Sequence, residues 1–161
     1  MATFVMQSLG CEVAALNTVQ YSKWYFLSRE LLLNHTTGNH LGYGQAKGTK
    51  VTATEIIDLY QGLKDSYLDD FDMLLSGYLP GAASVEALGV IARDLKLKAN
   101  LKPGSFFWVL DPVMGDNGGL YVAEDVVPAY KNLIRDADLI LPNQFEAEYV
   151  LSGQRGDDHA D

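Results

Sequence analysis

From Thr52 to Leu151 short apolar runs alternate with stretches of helical periodicity, and that rhythm constrains the fold more tightly than any other feature of the chain. Ile56, Leu59, Tyr60 and Leu63 fall at helical spacing between Thr52 and Tyr67, and Thr52 or Thr54 is placed to cap the first turn. Phe71 to Ser76 reads as a strand leading into Gly77-Tyr78-Leu79-Pro80-Gly81, after which Ser84 is expected to cap a helix ending near Leu97. Phe106 to Leu110 reads as the next strand, Ala123 to Arg135 as a helix, Asp138 to Leu141 as a strand, and Asn143 to Leu151 as the opening of another helix. Strands separated by helices of this length imply parallel crossovers. The predicted class is therefore α/β, with a mostly parallel sheet carrying helices on both faces in three layers.

Upstream the pattern is less regular. Ala2 to Leu9 can form a helix ended by Gly10, and Glu12-Val-Ala-Ala-Leu16 reads as a short buried strand, so the chain opens on a helix with no strand before it. Gln154 to Asp161 is polar and acidic and reads as a tail. The 161 residues are 48% hydrophobic and 20% charged, the composition of one globular domain. A net charge of −9 with 12 scattered Lys and Arg excludes a nucleic-acid surface, which needs clustered cations. Cys11 alone cannot form an internal disulfide, and no apolar run approaches the roughly 20 residues that span a bilayer. A cytoplasmic protein without a membrane partner is expected.

In folds of this class side chains at the carboxyl ends of the strands face a crevice, so chemistry is expected in three loops: 77–81, 111–121 and 142–146. Asp111 and Asp116 bracket Pro-Val-Met-Gly, a stiffened turn that could hold two carboxylates for a hard cation. The same residues also suit a simple turn followed by an Asp-Asn-Gly-Gly loop. Pro142-Asn143-Gln144-Phe145-Glu146 opens a helix, where Asn143 and Glu146 fit a capping box as readily as a phosphate and metal site. Tyr78 could stack on a planar ring or cover the sheet edge. His35, His40 and His159 have no metal-ligand spacing, and neither Cys-x-x-Cys nor Gly-x-x-x-x-Gly-Lys-Ser/Thr occurs, which removes zinc and P-loop chemistry.

Taken in order, Gly77-Tyr78, Leu110-Asp111-Pro-Val-Met-Gly-Asp116, Leu120-Tyr121-Val122 and Leu141-Pro-Asn-Gln-Phe-Glu-Ala-Glu148 resemble the pyridoxal kinases of the ribokinase-like superfamily. The opening through Asn17-Thr-Val-Gln-Tyr-Ser22 is similar to that family's first helix and second strand, so the resemblance runs to about Gly153. It implies transfer of the ATP γ-phosphoryl group to the 5′-hydroxymethyl of pyridoxal, pyridoxine or pyridoxamine, with Mg²⁺ and a monovalent cation, K⁺ or Na⁺. On this resemblance Asp111, Asp116, Tyr121, Asn143 and Glu146 belong to the ATP site, Asp111 and Glu146 serve the metal, and Val19, Tyr21, His40, Leu41 and Tyr78 line the vitamin pocket. A homodimer is also implied. Other readings are a ribokinase-like kinase for hydroxymethylpyrimidine or a sugar, and a non-catalytic dimerising remnant.

The resemblance also brings departures. The family opens with a strand and a Gly-containing loop that this chain lacks at its start, and its Gly-Thr-Gly-Asp motif, which supplies the catalytic base, would lie beyond residue 161. No catalytic residue is therefore expected in this chain, and the chain alone is expected to be inactive. Lys23 to Gly38 has no counterpart in the family pattern, so it reads as an insertion or a retained in-frame intron inside a partial domain spanning 1–153, with 154–161 as the tail. Leu41 and Leu141 stand where some members place threonine.

Overall fold

A computed structural model of the chain describes residues 2–22, 47–99 and 104–152. It divides into two compact units, Met1–Val51 and Thr52–Asp161. The segment 23–38, His40, Leu41 and the tail 154–161 lie outside the described residues.

In the first unit α1 (Ala2–Ser8) buries none of its residues and ends where expected, with Gly10 at φ +87° and the amides of Gly10 and Cys11 returning to the carbonyls of Gln7 and Met6. The predicted strand Glu12–Leu16 does not form. Residues 11–17 have no regular structure and are mostly exposed, because no neighbouring strand pairs with them among the described residues. The strand comes later: β1 (Val19–Ser22) pairs antiparallel with β2 (Lys47–Lys50), Val19 facing Lys50.

The second unit is a parallel sheet ordered β3 (Met73–Ser76), β4 (Phe107–Leu110), β7 (Leu139–Ile140). Between β4 and β7 lies a separate two-stranded hairpin, β5 (Gly115–Asp116) and β6 (Gly119–Leu120). The sheet steps in one direction at both crossovers, so right-handed connections place α3 (Ala82–Ala99) and α4 (Val126–Leu133) on the same face. There α3 packs between α4 and α2 (Ala53–Asp65), and the core gathers around Trp108, Leu110, Val85, Ala92, Val126 and Tyr130. The other face of the sheet carries Met73, Leu75, Phe107 and Leu139, which are 40% to 56% exposed.

Helix α2 starts as its sequence dictates. Thr52 Oγ1 accepts from the Glu55 amide at 3.2 Å and the Glu55 carboxylate accepts from the Thr52 amide at 2.7 Å, a reciprocal capping box. Ile56 and Tyr60 form its buried stripe, whereas Leu59 turns outward at 55% exposure. Tyr60 donates to Asp94 at 2.6 Å and Lys64 pairs with it at 2.8 Å, which fixes α2 on α3. The expectation of a Ser84 cap is corrected: the Ser84 and Val85 amides both donate to the Gly81 carbonyl, so Ser84 lies buried inside the first turn of α3. No helix among the described residues is long and apolar enough to cross a membrane.

Candidate functional site

The site is built at the carboxyl ends of β3 and β4 and at the start of α5 (Gln144–Ser152). The Asp111 amide donates to the Ser76 carbonyl at 2.8 Å, carrying the β3–β4 ladder one residue past the strand, so the sheet itself delivers Asp111 to the crevice. Pro112 is fully buried behind it, and the Val113 amide donates back to the Asp111 carbonyl at 2.9 Å. The hairpin follows. Asn117 and Gly118 both have positive φ, 49° and 80°, the left-handed pair that a two-residue hairpin turn requires, and Asp116 Oδ1 accepts from the Asn117 amide at 2.7 Å. Asp116 is exposed at its rim.

Helix α5 brings the second motif against this loop. Asn143 Oδ1 accepts from the Glu146 amide at 2.8 Å and Glu146 Oε2 accepts from the Asn143 amide at 2.9 Å, which is the capping box the spacing suggests. Two further bonds cross between the motifs. Glu146 Oε1 accepts from the buried Met114 amide at 2.9 Å, and Asn143 Nδ2 donates to the Gly115 carbonyl at 2.8 Å. Gly115 has to be glycine here, because a Cβ would overlap the Phe145 ring and the Gly119 carbonyl oxygen. Glu146 is 2% exposed and uses both carboxylate oxygens on backbone amides, so it holds the loop to the helix while keeping a negative charge beneath the crevice.

That charge is felt by its neighbours. Burial, and then the Glu146 charge, push the Asp111 carboxyl up to about 6. Asp111 is half-buried at the strand end, and a cation beside its carboxylate would relieve both penalties. Tyr121, 44% exposed, has its phenol raised by burial and then by the charges of Glu146, Asp116 and Asp111. No group of three or more His, Cys, Asp or Glu side chains that could hold a metal occurs among the described residues.

The remaining sequence-derived candidates divide. Tyr78 is partly buried in the loop after β3, in the same unit. Val19 is buried on β1 and Tyr21 lies opposite Gly48 in the first unit; His40 and Leu41 fall outside the described residues. Sequence reasoning missed Tyr130, which is fully buried on α4 and donates from its hydroxyl to the Gly77 carbonyl at 3.3 Å. Nothing separates such a residue from an ordinary core tyrosine until the fold is known.

No protein-family model matches the chain. Individual proteins do. A Schizosaccharomyces pombe protein with a provisional pyridoxal kinase name is 44% identical over 154 residues, which is 96% of this chain and 43% of that protein. Pyridoxal kinase of Sus scrofa is 38% identical over 159 residues, again 96% of this chain and 43% of the relative.

Over 96% of its length the chain is similar to pyridoxal kinases.

It spans less than half the length of the curated relatives it matches. The solved structure of a pyridoxal kinase from Leishmania donovani, in complex with ADP and pyridoxamine, superposes with a TM-score of 0.77 at 32% identity, covering 94% of this chain and 46% of that one. The ribokinase-like α/β fold expected from the motifs is thus shared with pyridoxal kinases of known structure.

Proposed function

We propose that this chain carries the cation and nucleotide-phosphate wall of a pyridoxal kinase. The reaction it serves is transfer of the γ-phosphoryl group of ATP to the 5′-hydroxymethyl of a vitamin B6 compound. The observation that carries this reading is the joining of the two motifs, in which Glu146 and Asn143 bind the Asp111–Asp116 loop to the first turn of α5. The arrangement sets a half-buried carboxylate, a buried negative charge and a helix N-terminus around one crevice. A magnesium nucleotide matches that combination, its cation meeting Asp111 and its phosphate oxygens the amide end of α5.

Phosphoryl transfer depends mainly on placement and charge stabilisation. Asp111 would orient Mg²⁺ and a monovalent cation, Glu146 would keep the Asp111 loop at a fixed distance from α5, and Asp116 and Tyr121 would border the nucleotide. Tyr78 would contact the vitamin ring. No residue described here stands as the base that takes the hydroxyl proton, and no Gly-Thr-Gly-Asp sequence occurs in the 161 residues. In our reading the family domain covers 1–153 with Lys23–Gly38 inserted, the working enzyme is a homodimer, and it acts in the cytoplasm.

Calorimetric titration tests the reading on the chain as it stands. ADP is expected to bind with Mg²⁺ and far more weakly without it, pyridoxine to bind as well, and Asp111→Asn to remove the magnesium-dependent part. ADP binding indifferent to both Mg²⁺ and Asp111→Asn would sink the assignment.

A further inference from the structure

Beneath the loop that follows β3 lies a buried polar layer that the carboxylate wall does not account for. The Ser76 hydroxyl accepts from the Trp108 indole at 3.0 Å and donates to the Val109 carbonyl at 3.4 Å. One residue on, the Gly77 carbonyl accepts from the Tyr130 hydroxyl, and two residues further Leu79 is packed into the core at 4% exposure. Tyr78 is therefore held from both sides, by a hydrogen bond to the peptide before it and by the burial of the residue after it. With both flanks fixed and the peptide units planar, little freedom is left for the backbone at Tyr78.

A core tyrosine whose only task is to fill space does not need its oxygen, because phenylalanine has nearly the same shape and avoids desolvating a hydroxyl. At Tyr130 the oxygen does have a task. Burial above all, then the charges of Asp111 and Glu146 and the phenols of Tyr78 and Tyr121, raise its pKa, so it remains a donor across the physiological range. The same hydroxyl is thus bonded to the loop that presents Tyr78.

We propose that Tyr130 is a positioning residue, whose hydroxyl fixes the Gly77-Tyr78 peptide so that Tyr78 meets the vitamin ring at a set distance from Asp111. The inference rests on the pyridoxal kinase reading above, under which Tyr78 faces that ring. Tyr130→Phe removes one oxygen and keeps the aromatic packing. In the full 161-residue chain this variant is expected to weaken pyridoxine binding by roughly three- to tenfold, the worth of one hydrogen bond, and to leave magnesium–ADP binding unchanged. In the absence of any ligand the carbonyl carbon resonance of Gly77 is expected to move. A purely structural role would not separate the two ligands. Unchanged pyridoxine affinity would overturn the proposal, as would an equal loss for both ligands or a Tyr130→Phe chain that fails to fold. An unmutated chain that binds magnesium–ADP but no pyridoxine would overturn the vitamin reading itself, and this inference with it; that failure shows before any substitution is made.

Discussion

At Asp111 the folded state raises a carboxyl from an ordinary value of 3.8 to about 6, chiefly through burial and then through the Glu146 charge. The folded chain therefore binds this proton more tightly than the unfolded chain. Stability from the group is full below about pH 4 and is lost as pH rises through about 6. Asp111→Asn is expected to flatten that slope and to stabilise the chain at pH 7 by on the order of 1 kcal/mol, a value already discounted for the solvent screening of a half-buried group. Thermal melts from pH 4 to 8 would show it. Glu146→Ala works in the opposite direction. It strips the acceptor from the Met114 and Asn143 amides and is expected to cost roughly 2–4 kcal/mol in urea denaturation, with Glu146→Gln between the two because one acceptor oxygen remains. The motifs containing Asp111 and Glu146 stood out in the sequence by their order and their resemblance to a known family, since a turn and a capping box would explain their residue types equally well. The bond from Glu146 to Met114 was not, since its partner is a backbone amide 32 positions away that carries no signature of its own.

At the scale of elements, the legible parts were those whose instructions are local. Thr52 and Glu55 write the start of α2 within four residues, and Thr52→Ala is expected to cost about 1 kcal/mol, read as a lower melting temperature. The apolar runs of β3 and β4 were likewise plain, because Met73-Leu-Leu75 and Phe107-Trp-Val-Leu110 are unbroken by polar residues. Glu12–Leu16 misled because a short apolar run looks the same whether or not a neighbour exists to take its amides. Helix α3 began earlier than its serine suggested, since the Gly81 carbonyl rather than the Ser84 side chain takes up the first amides. The hairpin and α5 touch through Gly115, and Gly115→Ala is expected to force the Phe145 ring aside at roughly 1–3 kcal/mol, measured by denaturation. A loss of magnesium-dependent ADP binding should accompany it.

Across the whole molecule, the sequence pattern anticipated a parallel sheet, and the described residues supply one helical layer for it. On one face of the sheet Met73, Leu75, Phe107 and Leu139 stay substantially exposed around the buried Val109, apolar surface of the kind that drives association. The chain is expected to scatter more light as its concentration rises, and Leu75→Lys to reduce that growth without lowering the melting temperature. Hydrophobic alternation alone could not reveal this, since a strand meant to be buried on both faces reads the same before either cover is in place. The two bonds that join Glu146 to Met114 and Asn143 to Gly115 have a longer reach. Two stretches of chain written far apart are spliced by them into one object, so each loses its reason to persist when the other decays. In descendants of this chain Met-Gly and Asn-x-x-Glu should be inherited together or eroded together.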